Sequence, residues 1–217
     1  MPSKAVLFDF DGTLADTAPD LGAALNRLRA DHGLPALSIE TLRRYASSGA
    51  RGLLRGGFEL LPEQSRYERM RDAFLDYYDE CMCAETRLFP GIEELLTEIE
   101  RRGIAWGIVT NKSTRFTPRI VAALGLEHRV ACVVCGDTTP HIKPHPAPLL
   151  HAARELRLDP GECCYVGDDL RDVQAAHAAG MRAVAVEYGY SGNDNGGPHA
   201  WNADAVIARP QDLIGIL

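Results

Sequence analysis

The stretch Ala5-Val6-Leu7-Phe8-Asp9-Phe10-Asp11-Gly12-Thr13 decides the fold. Four consecutive apolar residues with no polar alternation read as a buried strand, the kind found inside a parallel sheet covered on both faces. The strand runs straight into two carboxylates placed two positions apart. Residues i and i+2 of a strand point the same way, so Asp9 and Asp11 can reach one reacting centre. Gly12 then lets the backbone turn away at once.

Outward from this stretch, short apolar segments alternate with helical ones, the pattern of an α/β parallel sheet. Strands are predicted at 5–8, 104–109, 130–134, 163–166 and 182–186, and more weakly at 205–207. Between them, Ile92, Leu95, Leu96 and Ile99 repeat at helical spacing, as do Phe116, Ile120, Val121 and Leu124, and then Leu149, Leu150, Ala153 and Leu156. The segment 16–85 breaks the rhythm by offering helices without strands: Leu21, Leu25 and Leu28 form one stripe, Leu42 and Tyr45 a second, and Met70, Phe74, Tyr77 and Tyr78 a third. The expected organisation is a Rossmann-like α/β core, residues 1–15 and 86–217, with helices on both faces and an inserted all-helical cap, residues 16–85. Hinges are expected near 13–17 and 86–91. The glycine-rich run 191–198 reads as a surface connector.

The 217 residues are 46% apolar and carry a net charge of −7, which argues against a nucleic-acid partner, since phosphate backbones are held by clustered Lys and Arg. No apolar stretch approaches the ~20 residues that span a bilayer, and residues 1–4 show no signal-peptide core, so no membrane partner and a cytoplasmic location are expected. Six cysteines include one C-x-x-C, Cys132 and Cys135, in a strand-like run. Positions i and i+3 of a strand face opposite sides, which disfavours a shared metal and predicts buried reduced thiols.

Four segments place reactive groups just past predicted strands: Asp9 and Asp11; Thr110 and Asn111; Lys143-Pro144; and Gly167-Asp168-Asp169-Leu170-Arg171-Asp172. The carboxyl ends of strands in open parallel sheets form the ligand crevice, so these groups should meet. Singly, each has a plainer role, as a helix cap, a solvated lysine or acids favoured by a helix N-terminus. Together they point to covalent phosphoryl chemistry. A phosphate dianion beside Asp9 and Asp168 would crowd negative charge, each contact at ~4 Å costing about 4 kcal/mol at an effective dielectric near 20. Such a site calls for a cation, and Mg²⁺ suits oxygen ligands from carboxylates and phosphate. Lys143 would add positive charge, with Thr110 and Asn111 donating to phosphoryl oxygens.

On these motifs, in order and on the expected strands, the chain resembles the haloacid dehalogenase superfamily of phosphatases. The resemblance implies that Asp9 is the nucleophile and forms an aspartyl-phosphate, and that Asp11 protonates the leaving oxygen and later takes a proton from water. It implies Mg²⁺ held by Asp9, the Asp11 carbonyl and Asp168, with Asp169 or Asp172 close by. Gly12 and Thr13 are expected to line the phosphate site with Asn111. In the cap, Ser47-Ser48-Gly49-Ala50-Arg51-Gly52 reads as a specificity loop in which Arg51 meets a carboxylate or sugar hydroxyl.

Narrower runs resemble phosphoglycolate phosphatases (residues 16–21 and 110–112) and N-acetylmuramic acid 6-phosphate phosphatases (residues 48–51, 106–112, 167–172 and 188–190). The implied substrate is a small phosphate ester, a phosphorylated acid or sugar. A β-phosphoglucomutase-like transferase using the same aspartates is the alternative within the enzymes, and a binding protein on the same fold the alternative outside them. A monomer or weak homodimer is expected.

Overall fold

Ala5, Val6, Leu7 and Phe8 are wholly buried in the computed structural model, which describes residues 3–190 and 196–217. A strand with no solvent face belongs at the centre of a covered sheet. That is where β1 (Ala5–Phe8) lies, hydrogen-bonded on one side to β4 (Ala105–Val109) and on the other to β6 (Cys163–Gly167). Beyond β4 lies β5 (Val133–Val134); beyond β6 lie β7 (Arg182–Val186) and β8 (Ala205–Ile207). All of these pairs are parallel, in the order β5-β4-β1-β6-β7-β8. The chain winds outward from β1 to β5, returns to β6 and winds outward again. The reversal therefore falls between β1 and β6, the place where open α/β sheets bind ligands.

The chain divides into two compact units. The first, residues 1–14 and 88–217, holds the six-stranded sheet and helices α5 (Ile92–Arg101), α6 (Thr117–Ala123), α7 (Ala147–Leu156) and α8 (Leu170–Ala179). Its apolar layer joins Leu7, Val109 and Tyr165 of the sheet to Leu149 and Ala153 of α7 and Val173 and Ala176 of α8. Prolines at the starts of α6 and α7 suit the first helical turn, where no N–H is needed.

The second unit, residues 15–87, contains α1 (Ala18–Asp31), α2 (Ile39–Ala46), α3 (Gly49–Phe58) and α4 (Tyr67–Cys81). Short strands β2 (Ala15–Asp16) and β3 (Arg87–Leu88) pair where the chain enters and leaves it. Leu25, Leu28, Leu42, Leu53, Leu54, Phe74 and Tyr78 form its apolar interior.

Two local readings are corrected. Residues 49–52 are not loop but the first turn of α3. Glycine lowers helix propensity, yet a Cβ on Gly52 would collide with the Tyr45 carbonyl, so the small residue serves a close approach between α2 and α3. The strand predicted at 130–134 is regular only at Val133–Val134, although the Ala131 N–H still donates to the Trp106 carbonyl and the Ile108 N–H to that of Cys132. The reading of 191–198 falls largely on 191–195, outside the described residues. No helix among the described residues is long and apolar enough to cross a membrane.

Candidate active site

Asp9 leaves the end of β1 with its N–H on the Val166 carbonyl at 2.8 Å, so β6 fixes where the turn begins. The chain then folds back at once: the Leu14 N–H reaches the Phe10 carbonyl at 3.1 Å. Gly12 has φ of +89°, and a Cβ there would intrude on the carboxylate of Asp168. Both facts exclude other residues at this position.

Lys143 organises the site's centre. Its side chain is 3% exposed, and its ammonium lies 2.7 Å from Asp9 Oδ1, 2.8 Å from Asp172 Oδ1 and 2.7 Å from the Tyr165 hydroxyl. An ammonium has three hydrogens, and these three acceptors match them. Burial alone would lower the lysine's pKa; the charges of Asp172 and Asp9 outweigh it and raise the pKa above the ordinary lysine value. The Tyr165 hydroxyl donates in turn to the Val109 carbonyl at 2.7 Å, tying Lys143 to the end of β4.

Asn111 clasps the same lysine through its backbone: Nδ2 donates to the Lys143 carbonyl at 3.0 Å and Oδ1 accepts from the Lys143 N–H at 2.9 Å. Its amide thus places Lys143 and is engaged at both ends. The Thr110 hydroxyl accepts from the Lys112 N–H at 3.2 Å, which leaves its own hydrogen available for an incoming oxygen.

Asp168 is fully buried at the end of β6. It accepts from the Thr13 hydroxyl at 3.2 Å and from the Tyr190 N–H at 2.8 Å. Burial, then the charges of Asp9 and Asp172, push its carboxyl well above the usual range, against the Tyr190 hydrogen bond. Asp172 is pushed up to about 7, chiefly by burial, with Asp9 adding to the shift and Lys143 opposing it.

Asp169 has a different environment. It caps α8, accepting from the Arg171 N–H at 2.9 Å, and it pairs with the Arg171 guanidinium at 2.8 Å through both oxygens. Burial would raise its pKa, but Arg171 outweighs burial and lowers it. Asp11 pairs with Lys112, whose ammonium is 3.0 and 3.3 Å from its two oxygens.

The structure therefore brings together Asp9, Asp168 and Asp172, whose oxygens lie within 4.8 Å of one another, the one such acidic group among the described residues. Lys143 supplies a single positive charge to these three carboxylates. Two of them are buried, and Asp168 resists ionisation first because of burial and then because of the charges of the other two. A hard cation with oxygen preference fits this donor set. Gly12 and Thr13 lie against Asp168 and Asn111 against the Lys143 backbone, while Asp11 and Thr110 both contact Lys112. Arg51 lies exposed on α3 in the helical unit.

Three contributors escape sequence reasoning: Lys112, Tyr165 and the Tyr190 N–H. Tyr165 carries a signal of its own, a hydroxyl in an otherwise apolar strand, while Lys112 and Tyr190 fall in the runs 110–112 and 188–190 without a role being read from them.

An N-acetylmuramic acid 6-phosphate phosphatase from Pseudomonas aeruginosa is 42% identical over 217 residues, 100% of this chain and 96% of that protein. A phosphoglycolate phosphatase from Xanthomonas campestris pv. campestris is 41% identical over 210 residues, covering 97% of this chain and 94% of that one. The crystal structure of a predicted phosphoglycolate phosphatase from Haemophilus somnus superimposes with a TM-score of 0.86 at 30% identity, over 99% of this chain and 97% of the other. The haloacid dehalogenase-like hydrolase family model matches residues 6–186, from β1 through β7, and the chain belongs to that family.

Proposed function

We infer that the chain is a Mg²⁺-dependent phosphomonoesterase that hydrolyses a small phosphorylated acid or sugar through an aspartyl-phosphate on Asp9. The observation that carries this reading is the ion pair of Asp9 with the buried Lys143 inside a cluster of carboxylates at the sheet's switch point. Such an arrangement places one oxygen nucleophile in fixed geometry beside a site suited to phosphate charge.

In the first step an Asp9 oxygen bonds to phosphorus, and the bond from phosphorus to the ester oxygen breaks. Asp11 gives its proton to the departing alkoxide, which leaves as an alcohol. In the second step a water oxygen attacks the same phosphorus, Asp11 takes the water's proton, and the acyl-phosphate bond breaks to return Asp9 and inorganic phosphate. Lys143 keeps Asp9 in place through both steps. The Thr110 hydroxyl is positioned to donate to a phosphoryl oxygen.

Asp9, Asp168 and the Asp11 carbonyl would hold the magnesium ion, with Asp172 and Asp169 beside it. Bound there, the ion supplies the positive charge that lets a phosphate dianion approach the carboxylates.

For the substrate, the Xanthomonas relative's name supports phosphoglycolate and the Pseudomonas relative's name supports N-acetylmuramic acid 6-phosphate, at nearly equal identity. We favour the phosphoglycolate-like class. Comparing kcat/KM for these two esters and common hexose phosphates decides between them. The reaction itself is tested with p-nitrophenyl phosphate. Hydrolysis is expected with Mg²⁺ and not with EDTA, and Asp9→Asn is expected to lower kcat by about 10⁴-fold or more. Full activity in that variant would remove the covalent mechanism.

A further inference from the structure

Two lysines meet two aspartates in the first turn. Lys143 takes Asp9, and its place follows from the motif. Lys112 has been given no task, yet its ammonium bridges both oxygens of Asp11, at 3.0 and 3.3 Å, with the lysine side chain only 8% and the aspartate 15% exposed. The two residues that precede it, Thr110 and Asn111, are already engaged at the site.

The stem of Lys112 is also held. Its N–H donates to the Thr110 hydroxyl at 3.2 Å, and its carbonyl accepts from the Gly136 N–H at 2.8 Å and the Thr117 hydroxyl at 3.5 Å. A lysine on a free surface loop loses considerable rotamer entropy when it forms an ion pair, which is why exposed pairs contribute little. Here the backbone is fixed from three sides and the pair is shielded, so the aspartate has one preferred place. The tripeptide 110–112 thus connects the whole site: Thr110 faces the phosphate, Asn111 places Lys143, and Lys112 places Asp11.

We propose that Lys112 is a positioning residue for Asp11, holding the carboxyl that exchanges a proton with the leaving oxygen as Lys143 holds the nucleophile. The proposal rests on the phosphatase reading above. It predicts a loss that depends on how much the leaving group needs that proton. Alkoxides need it; p-nitrophenolate departs readily without it.

The experiment compares Lys112→Met with the parent enzyme in Mg²⁺ on phosphoglycolate, on a neutral alkyl phosphate such as glycerol 2-phosphate, and on p-nitrophenyl phosphate. kcat/KM reports the first irreversible step, formation of the phospho-enzyme. It is expected to fall about 30- to 100-fold for both alkyl esters and by less than about 3-fold for the aryl ester. Lys112→Arg should restore most of the alkyl activity, and beryllium fluoride, which caps Asp9, should inhibit parent and variant equally. Equal losses on alkyl and aryl esters, or no loss, would overturn the assignment. A loss confined to phosphoglycolate would make Lys112 a receptor for the substrate's carboxylate instead. Weakened beryllium fluoride inhibition would mean that Lys112 supports the site as a whole, which also overturns it. If the parent enzyme hydrolyses none of the three esters, the phosphatase reading itself fails.

Discussion

Asp20 of the helical unit and Asp168 of the sheet unit are buried almost equally, at 2% and 0% exposed, and they are there for opposite reasons. Asp20 is surrounded by donors: the Glu85 N–H at 2.9 Å, the Thr86 N–H at 3.0 Å and the Thr86 hydroxyl at 2.7 Å. It stitches α1 to the segment that leads out of the unit. Asp168 also accepts from the Thr13 hydroxyl and the Tyr190 N–H, but burial and then the nearby carboxylates of Asp9 and Asp172 drive its pKa up. A buried acid that serves the fold is satisfied by donors. One kept beside like charges lowers stability, and such arrangements concentrate at functional sites.

Within this contrast the largest expected effect comes from removing the crowded acid. Asp168→Asn should lower Mg²⁺-dependent kcat on the order of 10³-fold. It should also leave the metal-free protein as stable as the parent or more so, since it removes a carboxyl whose ionisation burial and the neighbouring carboxylates oppose. Mg²⁺ at about 100 times its Kd should raise the parent's melting temperature by roughly 5–10 °C, from about 2.7 kcal/mol of binding linkage, and should leave the variant unmoved. A variant that melts lower without metal and still responds to Mg²⁺ would place Asp168 in the same class as Asp20.

The converse substitution tests the other half. In Asp20→Asn the amide nitrogen turns a donor toward donors, so at least one of the three bonds is lost. The expected cost is about 2 kcal/mol, or a fall of about 4–8 °C in melting temperature for a chain of this length. kcat per folded molecule should stay within about 2-fold. Urea denaturation followed by activity in the native baseline measures both. Unchanged stability would mean that the three donors do not hold the chain at this point.

This contrast also explains what could be read from the chain alone. The sheet was legible because β1, β4, β6 and β7 are almost uninterruptedly apolar, and their ends then had to carry the reactive groups of the ligand crevice. What was not legible depends on partners distant in sequence. Lys112 meets Asp11 across 101 positions and Tyr165 meets Lys143 across 22; neither pairing leaves a local pattern. Asn111 reads as a phosphate donor because of its place after a strand, while its geometry engages it with the Lys143 backbone. The first turn of α3 was misread because its small residues carry a loop signal, and only the Tyr45 carbonyl beside Gly52 shows that glycine's packing role. Asp169 and Asp172 are indistinguishable as residue types; Arg171 claims the first and Lys143 the second.

The smallest effect sharpens the comparison by adding buried groups whose protonation is set first by burial and only second by neighbouring charges. Cys132, Cys163 and Cys164 are buried free thiols, and burial pushes their pKa values up to about 12, 11 and 12. Near neutrality thiols are protonated in native and unfolded chains alike, so they contribute no pH dependence. Above about pH 8.5 the unfolded chain ionises its thiols while the native one does not. The native state then binds more protons, and stability must fall as pH rises, until the native thiols ionise as well near 11 to 12. Each such thiol adds up to about 1.4 kcal/mol of lost stability per pH unit. Cys164→Val keeps an apolar side chain of similar volume beside Val6, its partner in the β1–β6 register. Between pH 9 and 10.5 the variant's stability should therefore fall less steeply than the parent's, by about 1 kcal/mol per unit. Parallel slopes would mean that Cys164 ionises as readily in the folded protein as in the unfolded chain, and that the sheet interior admits a charge there.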